Sequence, residues 1–186
     1  MKRILLFFIF HLSLFTFHFA RAQSEQQIIQ KMASAAAAIR TVECNFTQTR
    51  HTKMLKKELV SQGRMSCQLP DKLRWEYTSP RASTIVLGDE APTRQNKFAS
   101  DMAQMMMKLV AGQVLTDSQT FQVTAKQLPT EYEATLIPLK KNMKQMWTKL
   151  VLHFDIKQSI VTQVELYEKN GDFTIIDLRN IRINED

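Results

Sequence analysis

The chain is poor in glycine and lacks the common motifs of catalysis and nucleotide binding. Only 4 of its 186 residues are glycine, whereas a phosphate-binding loop needs several close together. It has no GxSxG elbow, no HExxH helix and no closely spaced set of cysteines and histidines. Of its histidines, we expect His51 and His153 to be solvated or structural side chains rather than bases. The sequence therefore favours a protein that is not an enzyme and needs no metal or cofactor.

Long apolar runs are also missing, with one exception at the N-terminus. Positions 4–19 are largely apolar, and they follow Lys2 and Arg3 and precede an Ala-Arg-Ala triplet at 20–22. A basic start, an apolar centre and an A-x-A site are typical of a secretory signal peptide. The run is shorter than the roughly 20 apolar residues that a membrane-spanning helix needs. We therefore predict a signal peptide over residues 1–22 and export of the remainder.

The excess of basic over acidic residues is modest once the predicted signal peptide is set aside. The formal net charge of +7 falls to +4 without the three bases of the predicted signal peptide, which leaves 22 basic against 18 acidic side chains. A nucleic-acid partner therefore has little support. Residues 23–186 are enough for one domain with its own core.

The sequence has two cysteines, Cys44 and Cys67, so it can form at most one internal disulfide. Export makes such a bond chemically permissible. If the segment between them is a symmetric hairpin that turns at Leu55 and Lys56, the two cysteines face each other at a distance suited to a disulfide. The alternative, which stays open, is that both are reduced and buried as small hydrophobic side chains.

A first helix is predicted over Ser24–Thr41. Ser24 and Gln27 form a capping-box pattern at its start. Apolar residues then recur at helical spacing, as Ile28, Met32, Ala35 and Ile39.

Beyond this helix the dominant period is two, which predicts nine strands separated by turns. Four lie at 42–47, 59–69, 72–78 and 83–88, and five at 120–126, 131–137, 147–155, 160–168 and 172–181. Asn170-Gly171 has the composition of a tight hairpin turn. So many consecutive antiparallel strands predict an α+β fold with a strongly curved sheet or open barrel, whose concave face the helices must cover.

A turn-rich linker over 89–98 and a methionine-rich helix separate the two sets of strands. The helix has its apolar side chains at helical spacing, a predicted cap at Ser100 or Asp101 and an end at Gly112. Met107 is expected to point away from that face. Dense methionine either fills a core or adapts to ligands of variable shape, and the sequence leaves both open. The apolar face consists of Phe98, Met102, Met105, Met106, Leu109 and Val110.

Two segments combine lysines with apolar side chains, RHTKMLKK at 50–57 and KKNMKQMWTK at 140–149. They are interpreted either as solvated turns or as rims that steer the protein toward anionic lipid headgroups or an acidic partner.

The order of several motifs along the chain resembles a known family. An N-terminal helix leads into an FxQ strand, a glycine and a proline follow, and a strand with alternating Leu, Trp and Tyr ends at a second proline. The matching residues are Phe46, Gln48, Gly63, Pro70, Leu73, Trp75, Tyr77, Pro80, Leu136-Ile137-Pro138 and Asn170-Gly171. In this order and spacing they resemble the periplasmic lipoprotein carriers of the LolA type.

The resemblance implies an unclosed antiparallel barrel of about 9–11 strands, with helices as a lid over a hydrophobic cavity. It further implies a periplasmic monomer that takes acylated lipoproteins from an inner-membrane ABC exporter and hands them to an outer-membrane acceptor. Alternatives of the same fold are a carrier for another acyl lipid, such as a glycolipid or pigment lipid, and a lipoprotein-sensing regulatory module. None of these needs a cofactor or a nucleic acid.

Ten residues are predicted to line the acyl-binding cavity, although any of them could instead belong to an ordinary core. They are Phe46, Met65, Leu73, Trp75, Tyr77 and Val86 on the strands, and Met102, Met105, Met106 and Leu109 on the lid helix. Two departures from the family pattern are expected to affect lid closure and the direction of transfer. Leu69 stands before Pro70 where carriers commonly have an arginine, and the chain ends soon after Asn180-Ile181.

Overall fold

The computed structural model describes residues 25–55, 57–88 and 97–185, with the side chains of 97–99 excepted. The predicted signal peptide, the capping residue Ser24, most of the linker and the Phe98 side chain lie outside this description. No described helix is long and apolar enough to cross a membrane.

Nine strands form one antiparallel sheet, as the period-two pattern predicts. The first four are β1 (Thr41–His51), β2 (Leu59–Gln68), β3 (Lys72–Ser79) and β4 (Ser83–Leu87). The other five are β5 (Phe121–Gln127), β6 (Glu131–Pro138), β7 (Trp147–Asp155), β8 (Val161–Glu168) and β9 (Phe173–Ile183). Their order is β4-β3-β2-β1-β9-β8-β7-β6-β5, so β4 and β5 are edges and the sheet does not close. The prediction of an open antiparallel sheet with helices is confirmed.

Within the described ranges three α-helices accompany the sheet: α1 over 25–37, α2 (Lys97–Val110) and the short α3 (Lys141–Met146). A 3-10 turn, Gln113–Thr116, follows α2. The sequence did not predict α3, which lies within the second basic segment.

Helix α1 ends four residues earlier than predicted because the amides of Arg40 and Thr41, which would continue the helix, donate to a distant side chain instead. Asn184 accepts hydrogen bonds from the amides of Arg40 and Thr41, at 2.7 and 3.3 Å, through its side-chain oxygen. Its Nδ2 donates to the carbonyl of Ala38 at 2.9 Å. These bonds replace helical ones and direct the chain into β1.

Helix α2 begins at Lys97, so the predicted caps Ser100 and Asp101 lie inside it. No glycine or proline stands at 97–99 to oppose helical geometry. The predicted end is confirmed, since Gly112 has a left-handed φ of 70° and its amide donates to the Leu109 carbonyl at 3.0 Å. A side chain at Gly112 would meet Ala36 of α1 and Phe154 of β7, so the helix ends in close contact with both.

Both long helices pack on the concave face of the sheet. Met32 of α1 and Leu109 of α2 have no exposed surface, and they share one core cluster with strand residues such as Phe154. Glu25 also accepts a hydrogen bond from the amide of Ala125, at 3.0 Å, which covers part of the β5 edge.

The two histidines of the described residues make structural contacts. His153 lies between Glu131 and Glu165, with its ring nitrogens 2.9 and 3.0 Å from their carboxylate oxygens. His51 stacks on Phe173, with ring centroids 4.1 Å apart.

The prediction that Cys44 and Cys67 lie directly opposite each other in the hairpin is wrong. The β1–β2 hairpin pairs Cys44 with Met65 and Cys67 with Val42, because the turn is centred one residue earlier than Leu55 and Lys56. The cysteines are therefore diagonal neighbours on one face, where Cα atoms are about 7–8 Å apart and beyond the usual reach of a disulfide. Both are buried and free in the structure. Burial raises the pKa of Cys44 to about 12 and that of Cys67 to about 11.

We predict that the two thiols make the protein less stable in alkaline solution. Their pKa values are raised from an ordinary 9.0, so the unfolded chain loses these protons as the pH rises above about 9 while the folded chain keeps them. The free energy of unfolding should therefore fall between pH 8 and 10, as measured by urea denaturation. The Cys44→Ala/Cys67→Ala variant should show a smaller fall.

The same thiols should react with Ellman's reagent only after the protein unfolds. Release of no thiol from the fully denatured, unreduced chain would show a disulfide and contradict the observed register.

Candidate functional site

A cavity of about 740 Å³ lies between the concave face of the sheet and α2. This volume is within the range of small-molecule sites. Its walls come from β1, β3, β4, β8, β9, α2 and the segment around α3. The lining residues are Gln48, Arg50, Leu73, Trp75, Tyr77, Ile85, Met102, Ala103, Met106, Gln145, Met146, Trp147, Leu166, Glu168, Lys169, Asn170, Thr174 and Ile176.

The floor of the cavity is formed by alternating side chains of β3. Leu73, Trp75 and Tyr77 share one face, because residues two apart on a strand point the same way. Ile85 of β4 is directly opposite Trp75 and extends this surface. Phe46 lies against Trp75, with ring centroids 4.3 Å apart, and contacts the edge of Tyr77 at 5.3 Å. Phe46 thereby holds the aromatic floor in place without lining the cavity itself.

Helix α2 closes the cavity from the other side. Met102, Ala103 and Met106 are spaced so that all three reach it. Facing them are Trp147 and further apolar side chains from β8 and β9. Both tryptophans of the chain, Trp75 and Trp147, therefore lie in the wall of one cavity.

One end of the cavity is polar. Arg50 forms an ion pair with Glu168, at 2.9 Å, and the neighbouring Lys169 and Asn170 also line this end. Gln48 accepts a hydrogen bond from the Tyr77 hydroxyl at 3.1 Å. The cavity is thus amphipathic, with an apolar interior and a charged rim.

Two polar atoms of the floor differ in how they are satisfied. Burial raises the pKa of Tyr77, so its hydroxyl keeps its proton and remains a donor. The indole Nε1 of Trp75 is buried and interacts with the Tyr77 hydroxyl, which opposes the rise of that pKa. It makes no well-aligned hydrogen bond among the described residues. No group of three or more potential metal ligands converges within the described ranges.

Five of the ten predicted lining residues border the cavity: Leu73, Trp75, Tyr77, Met102 and Met106.

The other five lie elsewhere. Phe46, Met65 and Leu109 are buried in the core, and Met105 is half-buried beside it. Val86 does not line the cavity, because the β3–β4 register places it opposite Arg74, on the face of the sheet away from the floor. The same register places Ile85 on the cavity side.

Met107 also differs from its prediction. It is 1% exposed and packs in the core with Ala103 and Val110, so the buried face of α2 is wider than the predicted one.

Sequence reasoning missed Ile85, Met146, Trp147, Leu166 and Ile176 as lining residues. Alternation assigns Leu166 and Ile176 to buried faces, but only the pairing of β9 with β1 brings their strands next to the aromatic floor.

Fold and cavity together define an open-barrel protein with a ligand-sized apolar site. Residues 37–186 match the family of the outer membrane lipoprotein carrier protein LolA. The chain belongs to this family.

Individual relatives are distant. The chain is 23% identical over 193 residues to the outer-membrane lipoprotein carrier protein of Francisella tularensis subsp. tularensis (strain WY96-3418), covering 100% of this chain and 89% of that protein. It is 22% identical over 173 residues to the protein of the same name from Pseudomonas fluorescens (strain Pf0-1), covering 88% and 82%. The crystal structure of MucB aligns with a TM-score of 0.53 at 10% identity over 88% of this chain and 60% of that chain. This last similarity shows the fold alone.

We predict that Met107→Ala destabilises the protein more than Met105→Ala. Met107 is fully buried, and deleting such a side chain from a core costs about 2–5 kcal/mol. Met105 is half-buried and should cost less than about 1 kcal/mol. Urea denaturation of the two variants measures both values, and equal losses would contradict the observed helix orientation.

Proposed function

We propose that this chain is a periplasmic carrier that shelters the acyl chains of lipoproteins and shuttles them from the inner to the outer membrane. The observation that carries the proposal is the apolar cavity beneath α2 with a polar rim at one end. Family membership supports it, because LolA-type carriers are periplasmic proteins that bind without catalysing a reaction.

The energetic need for such a cavity follows from the chemistry of the cargo. At roughly 0.8 kcal/mol per methylene, exposing one acyl chain of about 16 carbons to water costs on the order of 10 kcal/mol. The chain would lie on the floor formed by Leu73, Trp75 and Tyr77, while the polar linkage emerges between Arg50 and Lys169.

Helix α2 is the proposed lid. Its cavity-facing Met102 and Met106 are unbranched and polarisable, so they can pack on an acyl chain or on each other. Leu69 replaces the family arginine before Pro70; it packs half-buried against the core, and its amide donates to the Arg40 carbonyl at 2.8 Å. Closure of this lid would therefore depend on apolar contacts rather than on a side-chain hydrogen bond from that position.

The proposed donor is an inner-membrane ABC exporter and the proposed acceptor lies in the outer membrane. Transfer between them needs no covalent step, since cargo would move whenever the next site shields the acyl chain better than this cavity.

We predict that a brominated long-chain fatty acid quenches the intrinsic fluorescence of the protein. Trp75 and Trp147 both line the cavity, so bromine on a bound chain would contact their rings. The single-tryptophan variants Trp75→Phe and Trp147→Phe should each still be quenched.

Brominated propionate is the control, because it carries the same carboxylate and halogen without an apolar chain. Absence of quenching by the long-chain acid, or equal quenching by both acids, would overturn the proposed cavity function.

Filling the cavity should weaken binding, at a cost in stability of about 1–3 kcal/mol from overpacking. Ala103 lies in the cavity wall on α2, so we expect Ala103→Phe to occupy part of the acyl site and lower fatty-acid affinity about tenfold or more. Gln104→Phe adds the same side chain to the exposed face of the same helix and should leave affinity unchanged. Fluorescence titration with the brominated acid measures both. Equal affinities of the two variants would place the ligand elsewhere.

A further inference from the structure

The exposed apolar side chains gather at one end of the sheet. Antiparallel pairing brings the β1–β2, β3–β4, β6–β7 and β8–β9 connections to this end, because β1 ends beside the start of β9 and β7 begins beside the end of β8. All six large hydrophobic side chains that are exposed among the described residues lie here: Met54, Leu55, Leu59, Val60, Ile137 and Leu139. The most exposed is Met54, at 95%, at the tip of the β1–β2 hairpin.

The same end carries unpaired positive charge. Besides Lys169 of the cavity rim, six bases in its connections are exposed: Lys53, Lys57, Arg81, Lys140, Lys141 and Lys144. Within the described ranges none of the six takes part in an ion pair. The hairpin acid Glu58 lies 3.3 Å from His51. These six apolar and six basic residues are called the basic turn end below.

The basic turn end borders the polar rim of the cavity. The amide of Lys53 donates to Asp172 at 3.1 Å, and Arg50 pairs with Glu168 at 2.9 Å, so the hairpin is attached to the β8–β9 turn. Lys169 and Asn170 of that turn line the cavity. The hairpin that carries Met54 and Leu55 is therefore fixed beside the polar rim of the cavity.

We propose that the basic turn end docks reversibly on an anionic lipid bilayer, with Met54 and Leu55 in the interface and the lysines on the headgroups. This inference rests on the proposed function in one respect: docking would present the cavity rim to the membrane that supplies or accepts an acyl chain. Docking itself requires no cargo.

Shape and charge favour a bilayer over a protein as the partner. A stable protein interface buries about 800 Å² on each side, whereas a hairpin tip with two protruding apolar side chains offers a small and convex surface. A few inserted side chains combined with several lysines is instead the pairing that gives weak, reversible membrane attachment. Each lysine near an anionic membrane surface raises the binding affinity about fivefold.

The experiment is cosedimentation of the protein, without its predicted signal peptide, with vesicles of phosphatidylethanolamine and phosphatidylglycerol. We expect binding that weakens with added salt and is absent from pure phosphatidylcholine vesicles. Met54→Ser/Leu55→Ser should lower the partition coefficient about tenfold. Lys53→Gln/Lys57→Gln should lower it about 25-fold, which is two fivefold contributions.

A matched control removes the same charge from the other end of the sheet. Lys126 and Lys157 are exposed and lie near the β5–β6 and β7–β8 turns, so Lys126→Gln/Lys157→Gln should bind vesicles as the parent does. No vesicle binding by the parent, or equal losses from the control and tip variants, would overturn the proposal. So would tip variants that bind lipid vesicles normally but fail to bind native membranes, which would indicate a protein partner.

Quenching by the brominated fatty acid in vesicle-free buffer separates this inference from the cavity function. The tip variants should keep normal quenching, since none of their substituted residues lines the cavity. Vesicle binding without quenching would sink the cavity function alone, and quenching without vesicle binding would sink the docking surface alone.

Discussion

The open sheet has a concave apolar face that its two long helices only partly cover. Both the packed core and the cavity result from this incomplete cover. Because the edge strands β4 and β5 do not pair with each other, the sheet wraps around the helices instead of closing on its own side chains. On one side α1 and the end of α2 fill the face completely, as the absence of exposed surface at Met32 and Leu109 shows. On the other side α2 runs close to β3 and β4 but does not fill the face beside them, and the remaining space is the cavity. One continuous apolar surface thus serves as core and as binding site.

The methionines of α2 mark the boundary between these two regions. Met107 is packed as tightly as any core residue, whereas Met102 and Met106, on the neighbouring face of the helix, border the cavity. Side chains with three rotatable bonds can fill either environment at little conformational cost. A branched side chain would fit one cavity shape, so methionine suits a wall that can adapt to contents of different shape.

Local patterns in the sequence were enough to predict the strands, the open sheet and half of the proposed lining, because alternation assigns each strand residue to a face. The errors arise where two distant segments meet. A turn centred one residue away from Leu55 and Lys56 separates Cys44 from Cys67, and the β3–β4 register exchanges Val86 for Ile85. The end of α1 depends on Asn184, more than 140 residues away, and no local signal carries that contact.

The polar rim connects the cavity to the β1–β2 hairpin. The strength of the contacts in this rim determines which of them membrane docking would break. The Arg50 to Glu168 pair is partly exposed, with 39% and 23% of the two side chains accessible, so it contributes at most about 1 kcal/mol. Backbone pairing of β1 with β9 continues past it to His51 and Phe173, whose rings also stack. An anionic surface that competes for Arg50 would therefore break the ion pair while strand pairing keeps the aromatic floor in place. The rim could then open to an acyl chain without loss of the sheet that shelters it.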